Sequence, residues 1–370
     1  MNREEQICSI ALSLCEGIGH IGAKRLVESV GSATEVFAHR KELPSLIPDI
    51  RPAVIEALDN QEAFRRAEEE LQFAETHGIQ CLTLKDEAYP SRLRECEDAP
   101  IMLFFQGNID FNRLHIVAMV GTRHATNYGC EFCAEFIRDL AACCPDAIIV
   151  SGLAYGIDIH SHREAQRNNL STVAVLAHGL DRIYPYVHRQ TAQEIQANGG
   201  LLTEFLTHTN PDRQNFVQRN RIVAGITDAV IVVESAAKGG SLITAGLATD
   251  YNRDCFAVPG RRTDAFSIGC NQLIRDNKAQ ILLNAEDFVK AMNWDTPQTR
   301  VPNVQRTLFL DFTPEEERII QILTKRGDLH INALVVEAGI PVNRMSVLLF
   351  ELEMKGVIRS NVGGSYHLIG

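Results

Sequence analysis

From about Leu82 to Trp294 the sequence alternates short, nearly unbroken apolar runs with longer amphipathic stretches, and this alternation constrains the fold more than any other feature. The runs are His115–Gly121, Ala147–Gly152, Thr172–Ala177, Gly200–Glu204, Asp228–Glu234, Cys255–Gly260 and Gln280–Leu283. A strand wetted on one face alternates apolar and polar residues, whereas a strand covered on both faces reads as a continuous apolar run. Stretches with helical spacing separate most of the runs, so the pattern predicts an α/β fold with a doubly wound parallel sheet. Such sheets bind ligands in the crevice outside the carboxyl ends of their strands. Functional residues are therefore expected directly after each run.

The flanks read differently. Residues 1–80 form a predicted helical domain, with apolar positions at Ile7, Ile10, Ala11 and Leu14, then at Leu26, Val27 and Val30. Within it, Gly17-Ile18-Gly19-His20-Ile21-Gly22 matches G-x-G-x-x-G, but a dinucleotide site needs that motif to follow a strand, and here a helix precedes it. Two readings stay open: a helix-hairpin-helix whose second helix offers its N-terminus to a phosphate, or a plain αα-hairpin. The core domain is expected over residues 81–294. Residues 295–312 are polar, contain Pro297 and Pro302, and read as a linker.

Residues 313–370 read as a winged helix. Thr313-Pro314-Glu315-Glu316 supplies an N-cap, a first-position proline and an acidic first turn for a helix through Leu323. Helices over Asn332–Ala338 and Val342–Lys355 follow, then a hairpin of Val357–Ser360, Gly363-Gly364 and Ser365–Leu368. The presumed recognition helix carries Arg344 and Lys355 against Glu351 and Glu353, so a protein-contact or accessory role is expected in place of duplex binding.

Charge limits the function classes. With 36 Lys and Arg against 47 Asp and Glu, the net charge of −11 excludes attraction to nucleic acid over the whole surface, and any such binding must use a local strip. No apolar run is long enough to span a bilayer and the N-terminus lacks a signal-peptide pattern, so a cytoplasmic protein with no membrane partner is expected. The ten cysteines lie mostly in apolar segments. Cys130 and Cys133 form a C-x-x-C without further partners, so buried structural thiols, no metal and no cofactor are expected.

The strand ends carry the chemistry. After the first run, Gly121 allows close backbone approach, Arg123 offers a charge-assisted phosphate contact, and the helix starting near Thr126 is expected to present free N–H groups to an anion. The second run ends in Ser151-Gly152-Leu153-Ala154-Tyr155-Gly156-Ile157-Asp158, with His162 one helical turn on. Asp158 and His162 suit an acid–base pair, but also a brace beneath the glycine loop; no G-x-S-x-G elbow surrounds Ser151. Phe216-Val217-Gln218-Arg219-Asn220-Arg221 places two arginines beside an aromatic ring, which suits a strand of unstacked bases. Arg219 and Arg221 cannot share a helix face, so at least one must project toward the sheet edge. Lys238-Gly239-Gly240-Ser241 is a second glycine turn at a helix start; it lacks the G-K-[ST] of a Walker A loop. Arg261, Arg262, Arg275 and Lys278 add a modest local basic excess over Asp264 and Asp276.

Taken in order, these motifs resemble the DNA-processing protein A (DprA/Smf) family over nearly the whole chain. The resemblance rests on Tyr89-Pro90, Gly121-Thr122-Arg123, Ser151-Gly152-Leu153-Ala154, Gly156-Ile157-Asp158 with His162, Tyr184-Pro185, Glu204, Phe216 with Arg219-Asn220-Arg221, Gly240-Ser241 with Thr244-Ala245, Pro259-Gly260, and Gly269 with Asn271. Val217 and Lys278-Ala279 depart from the family pattern without removing a charge or a loop glycine. The resemblance implies a Rossmann-like core, no catalysis, and a homodimer that binds single-stranded DNA and loads the recombinase RecA during natural transformation. It also implies phosphate contacts at Arg123, Arg219, Arg221 and Lys238, with backbone donors from the Ser151–Gly156 and Gly239–Ser241 turns; charge reversal at Arg219 and Arg221 is then expected to cause a large loss of binding. The competing reading is a Rossmann-like nucleotide-processing hydrolase resembling phosphoribohydrolases, acting through Glu204, Asp158 and His162. Its glycine turn would need a following glutamate, which Gly239–Ala245 lacks. A duplex-DNA regulator using the winged helix is a third.

Overall fold

The structure is a computed structural model that describes residues 2–47, 50–294, 312–327, 329–355, 357–361 and 365–368. The chain divides into two compact units, Met1–Trp294 and Asp295–Gly370.

The first unit is built on a nine-stranded sheet in the order β1-β2-β6-β5-β4-β3-β7-β8-β9. Its strands are β1 (Gln80–Thr83), β2 (Met102–Gly107), β3 (Ile116–Val120), β4 (Ile148–Ser151), β5 (Ser171–Val175), β6 (Gly199–Thr203), β7 (Ala229–Val232), β8 (Asp254–Ala257) and β9 (Gln280–Ile281). Strands β3 to β9 are parallel and each coincides with one of the seven apolar runs. The sheet is not wholly parallel, however: β1 pairs antiparallel with β2, and β2 antiparallel with β6. These two strands escaped the alternation pattern because the chain joins them through turns around Pro90 and Pro100, with only the short helix Ser91–Arg94 between.

Burial on both faces explains the unbroken runs. Ile116, Ala118 and Val120 of β3 face one core, and Val117 and Met119 face the other. The second core is closed by Phe132, Phe136 and Leu140 of the helix Asn127–Cys143, with Phe288 and Trp294. The first is closed by Ile222 and Val223 of the helix Arg213–Gly225 and by Ala245 and Ala248 of the helix Gly240–Asp250. It runs on without a break into Leu12 of the helix Arg3–Ser13, Cys15 just beyond it, and Leu26 and Val27 of the helix Gly19–Val30. The helix Gln61–His77 packs Ala67 and Leu71 against Met102 and Phe104 of β2. Polar ties add to this packing: the Lys24 ammonium donates to the carbonyls of Arg94 and Cys96, 2.7 Å each, and the Glu70 carboxylate accepts from Thr207 N–H at 3.0 Å. The glycine motif near residue 17 forms the turn into Gly19–Val30, with positive φ at Gly17 and Gly19.

In the second unit, helices Pro314–Arg326, Ile331–Ala338 and Val342–Met354 enclose Ile319, Leu323, Leu334, Leu348 and Leu352. A three-stranded antiparallel sheet of β10 (Leu329–His330), β11 (Ile358–Asn361) and β12 (Ser365–Leu368) completes a winged helix; β10 had no sequence signal. Thr313 is the expected N-cap, and with Glu316 it forms a reciprocal capping box. Residues 295–311 of the expected linker and the Gly363-Gly364 turn lie outside the described residues. On the presumed recognition helix Arg344 pairs with Glu315 at 2.8 Å, while Phe350 and Met354 are exposed. Among the described residues, no single helix is long and apolar enough to cross a membrane.

Candidate functional site

The chain leaves β3 toward β4, β5 and β6, then returns to the other side of β3 to build β7, β8 and β9. The crevice of an open α/β sheet forms at such a reversal. A cleft of about 910 Å³ lies there, lined by the loops after β3, β4 and β7 and by one side of the helix Arg213–Gly225. Four cationic side chains line it, Arg123, Arg213, Arg219 and Lys238, against one carboxylate, Asp158.

Ten of the thirteen residues expected at the site line this cleft: Gly121, Arg123, Gly152, Phe216, Arg219, Asn220, Lys238, Gly239, Gly240 and Ser241. They divide by exposure. Arg123 and Lys238 are exposed, and the Arg123 guanidinium lies 4.8 Å from the Phe216 ring centroid, a cation–π arrangement. Arg219 is buried instead. Its Nη1 donates to the carbonyl of Gly152 at 2.8 Å and to that of Val175, tying together the ends of β4 and β5. Burial lowers its pKa to about 10, opposed by the nearby Asp158 carboxylate. Gly152 is required for this arrangement, since a Cβ there would sit 2.2 Å from the Arg219 Nη2. Ser241 is buried and donates its hydroxyl to Ser235 Oγ at 2.9 Å, while Gly239 caps the helix Gly240–Asp250 without any side-chain hydrogen bond.

Three expected residues do not reach the cleft. Arg221 projects from the other side of its helix, ion-paired with Glu204 and donating to the carbonyl of Asp98 at 2.6 Å. The six residues from Phe216 to Arg221 cannot all share one helical face, and Arg221 falls on the side that meets Glu204 and Asp98. Ser151 is fully buried, its hydroxyl donating to the carbonyl of Met119 at 2.6 Å. Gly156, at φ +74°, lets the loops after β3 and β4 touch: a Cβ there would lie 2.1 Å from the Thr122 carbonyl oxygen.

The helix start at Thr126 also differs from expectation. Two of its N–H groups are already taken: Glu234, just past β7, accepts from Thr126 N–H at 2.9 Å and from the Thr126 hydroxyl, which in turn accepts from Gly129 N–H. The backbone carbonyl of Glu234 accepts from Thr122 N–H at 2.8 Å. One residue thus stitches the two sides of the topological reversal. Sequence reasoning missed Glu234 and Arg213, which only their places beside a strand end or at a helix start could have marked, and it named Tyr184 as a motif residue without placing it among the binding residues.

The three groups of the hydrolase reading are held apart. His162 is fully buried, its Nδ1 sharing a hydrogen bond of 2.7 Å with Thr172 Oγ1. Burial, with Arg219 and His188 nearby, pushes its pKa down to about 3, so the ring is neutral. Asp158 reaches the cleft but accepts from Gly152 N–H at 3.2 Å, and burial raises its pKa. Glu204, closed off by Arg221, lines a separate 310 Å³ pocket beside His20. Among the described residues, no group of three or more His, Cys, Asp or Glu is placed to hold a metal.

Fold and cleft together define a Rossmann-like α/β protein with a cationic crevice at the strand ends and a separate winged-helix unit. Residues 80–293 match the family described as DNA recombination-mediator protein A, and residues 305–364 match the DprA winged helix domain. The chain belongs to the DNA recombination-mediator protein A (DprA/Smf) family. It is 34% identical over 299 residues to Protein Smf of Synechocystis, covering 79% of this chain and 74% of that protein. It is 37% identical over 207 residues to the DNA processing protein DprA of Streptococcus pneumoniae, covering 56% and 72%. The X-ray structure of the Streptococcus pneumoniae protein superposes with a TM-score of 0.64 at 30% identity, over 78% of this chain and 98% of that one. DNA processing protein A of Helicobacter pylori, whose structure concerns its single-stranded DNA binding mode, superposes at 0.53 with 31% identity, over 59% and 96%.

Proposed function

We propose that this chain binds single-stranded DNA along the cleft at the β3–β7 reversal and acts without chemistry of its own, as a homodimer that delivers the strand to the recombinase RecA in natural transformation. The observation that carries the reading is the lining of the cleft: four cations against one carboxylate, in a protein whose net charge is −11. Attraction to phosphate is therefore confined to this strip. Its shape favours an unpaired strand. Duplex readers insert a helix or ribbon into a groove, whereas a concave site with an aromatic ring beside arginine accepts a splayed base and its phosphate. Arg123, Lys238 and Arg213 are the phosphate contacts; Arg219 holds the strand-end loops in place. The family's DprA and Smf members, and the single-stranded DNA binding mode of the Helicobacter pylori protein, support the same reading.

The test is binding of labelled single- and double-stranded oligonucleotides across a salt series, for wild type and Arg123→Glu/Lys238→Glu. The wild type prefers the single strand, and the variant loses most affinity together with about 1.4 from the log–log salt slope, about 0.7 per lost phosphate contact. Equal affinity for duplex, or an unchanged variant that folds normally, refutes the reading.

A further inference from the structure

The chain has only seven tyrosines, and three of them crowd the loops after β4 and β5 while staying largely in solvent: Tyr155, Tyr184 and Tyr186 expose 48%, 44% and 69% of their surface. Each ring is braced. Tyr184 lies 6.0 Å from Phe216 and itself lines the cleft. Tyr155 stands edge-on to His188 at 5.0 Å, and His188 is anchored by its Nδ1 hydrogen bond of 2.7 Å with the carbonyl of Leu153. The Arg189 guanidinium lies 5.0 Å from the Tyr186 ring and donates to the Tyr186 hydroxyl at 2.7 Å. The hydroxyls of Tyr155 and Tyr184 have no protein partner among the described residues, so hydrogen bonding does not account for their placement. Arg189 and the neighbouring Arg163 are exposed and have no carboxylate partner among the described residues.

Exposed, braced aromatic rings beside arginines that no carboxylate neutralises are the chemistry of single-strand recognition: every base has a face to stack, and the arginines take phosphate. We propose that Tyr184, Tyr155 and Tyr186, with Arg163 and Arg189, form a stacking platform that receives the same strand as it leaves the cleft, lengthening the footprint beyond the β3–β7 crevice. This rests on the cleft reading above. Tyr184 is the junction, belonging to both surfaces. The platform adds length dependence to the affinity and little base preference, because stacking tolerates any base.

The experiment is fluorescence anisotropy with oligothymidylates from about six to about thirty nucleotides, a range that spans single-module site sizes. Proteins compared are the wild type, Tyr155→Ala/Tyr186→Ala, and Tyr155→Phe/Tyr186→Phe, which keeps both rings. The wild type binds the long strand more tightly than the short one. The alanine variant matches wild type on the short strand and loses at least about tenfold on the long one, whereas the phenylalanine variant keeps the gain. A long strand carrying abasic sites outside the cleft segment binds wild type like the short strand. Unchanged long-strand affinity in the alanine variant, or full affinity for the abasic strand, overturns the platform. Short-strand binding that survives Arg123→Glu/Lys238→Glu overturns the cleft reading and, with it, the platform as an extension of the cleft; no strand binding by wild type overturns both.

Discussion

Arg219 and Arg123 line the same cleft, yet removing them should have opposite consequences. Arg219→Met keeps most of the volume but deletes the donors. It leaves the carbonyls of Gly152 and Val175 buried without partners, and Asp158 without its nearby cation. An orphaned buried acceptor costs about 1–3 kcal/mol, so two of them set a loss of about 3 kcal/mol after relaxation. In a unit of this size that lowers the melting temperature by about 5 °C. Arg123→Ala removes an exposed side chain whose partner is one face of Phe216, and such changes fall within about 0.5 kcal/mol. Thermal melts paired with single-strand affinity at two salt concentrations separate the two roles. Arg219→Met should melt early; Arg123→Ala should melt with wild type and bind weakly. An Arg219→Met protein of wild-type stability that had lost DNA binding would refute the division between strut and ligand contact. Charge reversal at Arg219 and Arg221 would test folding more than binding.

Two further outcomes follow from the same packing. Gly152→Ala places a methyl group 2.2 Å from the Arg219 guanidinium, and overpacking of that kind should cost about 1–3 kcal/mol, read as an earlier urea midpoint; an unchanged midpoint would show that the arginine can move aside. His162 titrates near 6.5 when unfolded but about 3 in the folded protein, so the unfolded chain binds the extra proton between those values. Its contribution is complete above pH 6.5 and falls by up to about 1.4 kcal/mol per unit as the pH drops toward 3. Urea midpoints at pH 7.5, 6 and 5 should show this slope in wild type and a shallower one in His162→Gln; identical slopes would contradict it.

The parallel core was legible because burial on two faces leaves a one-dimensional trace: Ile116–Val120 and Ala229–Val232 read as strands without reference to partners. Strands β1 and β2 left no such trace, since β2 is fixed by antiparallel pairing with β6 across about a hundred residues of chain, and β1 only by pairing with β2. At the site, sequence order brought the right loops together but could not say which way a helical side chain turns. Arg219 and Arg221 look equivalent in Arg219-Asn220-Arg221, yet two residues rotate a helix by about 200°, so one meets the cleft and the other meets Glu204. Glu234 was invisible for a related reason: its partner Thr126 lies 108 residues away.

That carboxylate has a consequence for how a strand would be held. A helix N-terminus with open N–H groups is a rigid socket that fixes one phosphate at one point. Here the Glu234 carboxylate sits at the helix start behind Arg123, so on the proposed reading a phosphate on that side meets the Arg123 guanidinium on its flexible stem. Contacts of that kind have no registry: a strand can advance by one nucleotide and find the same charges in reach. On the proposed reading, ceding this helix terminus to an internal acid leaves the rigid backbone donors to the uncapped start of the helix Gly240–Asp250, so one side of the cleft grips a phosphate firmly while the Arg123 side lets the strand shift.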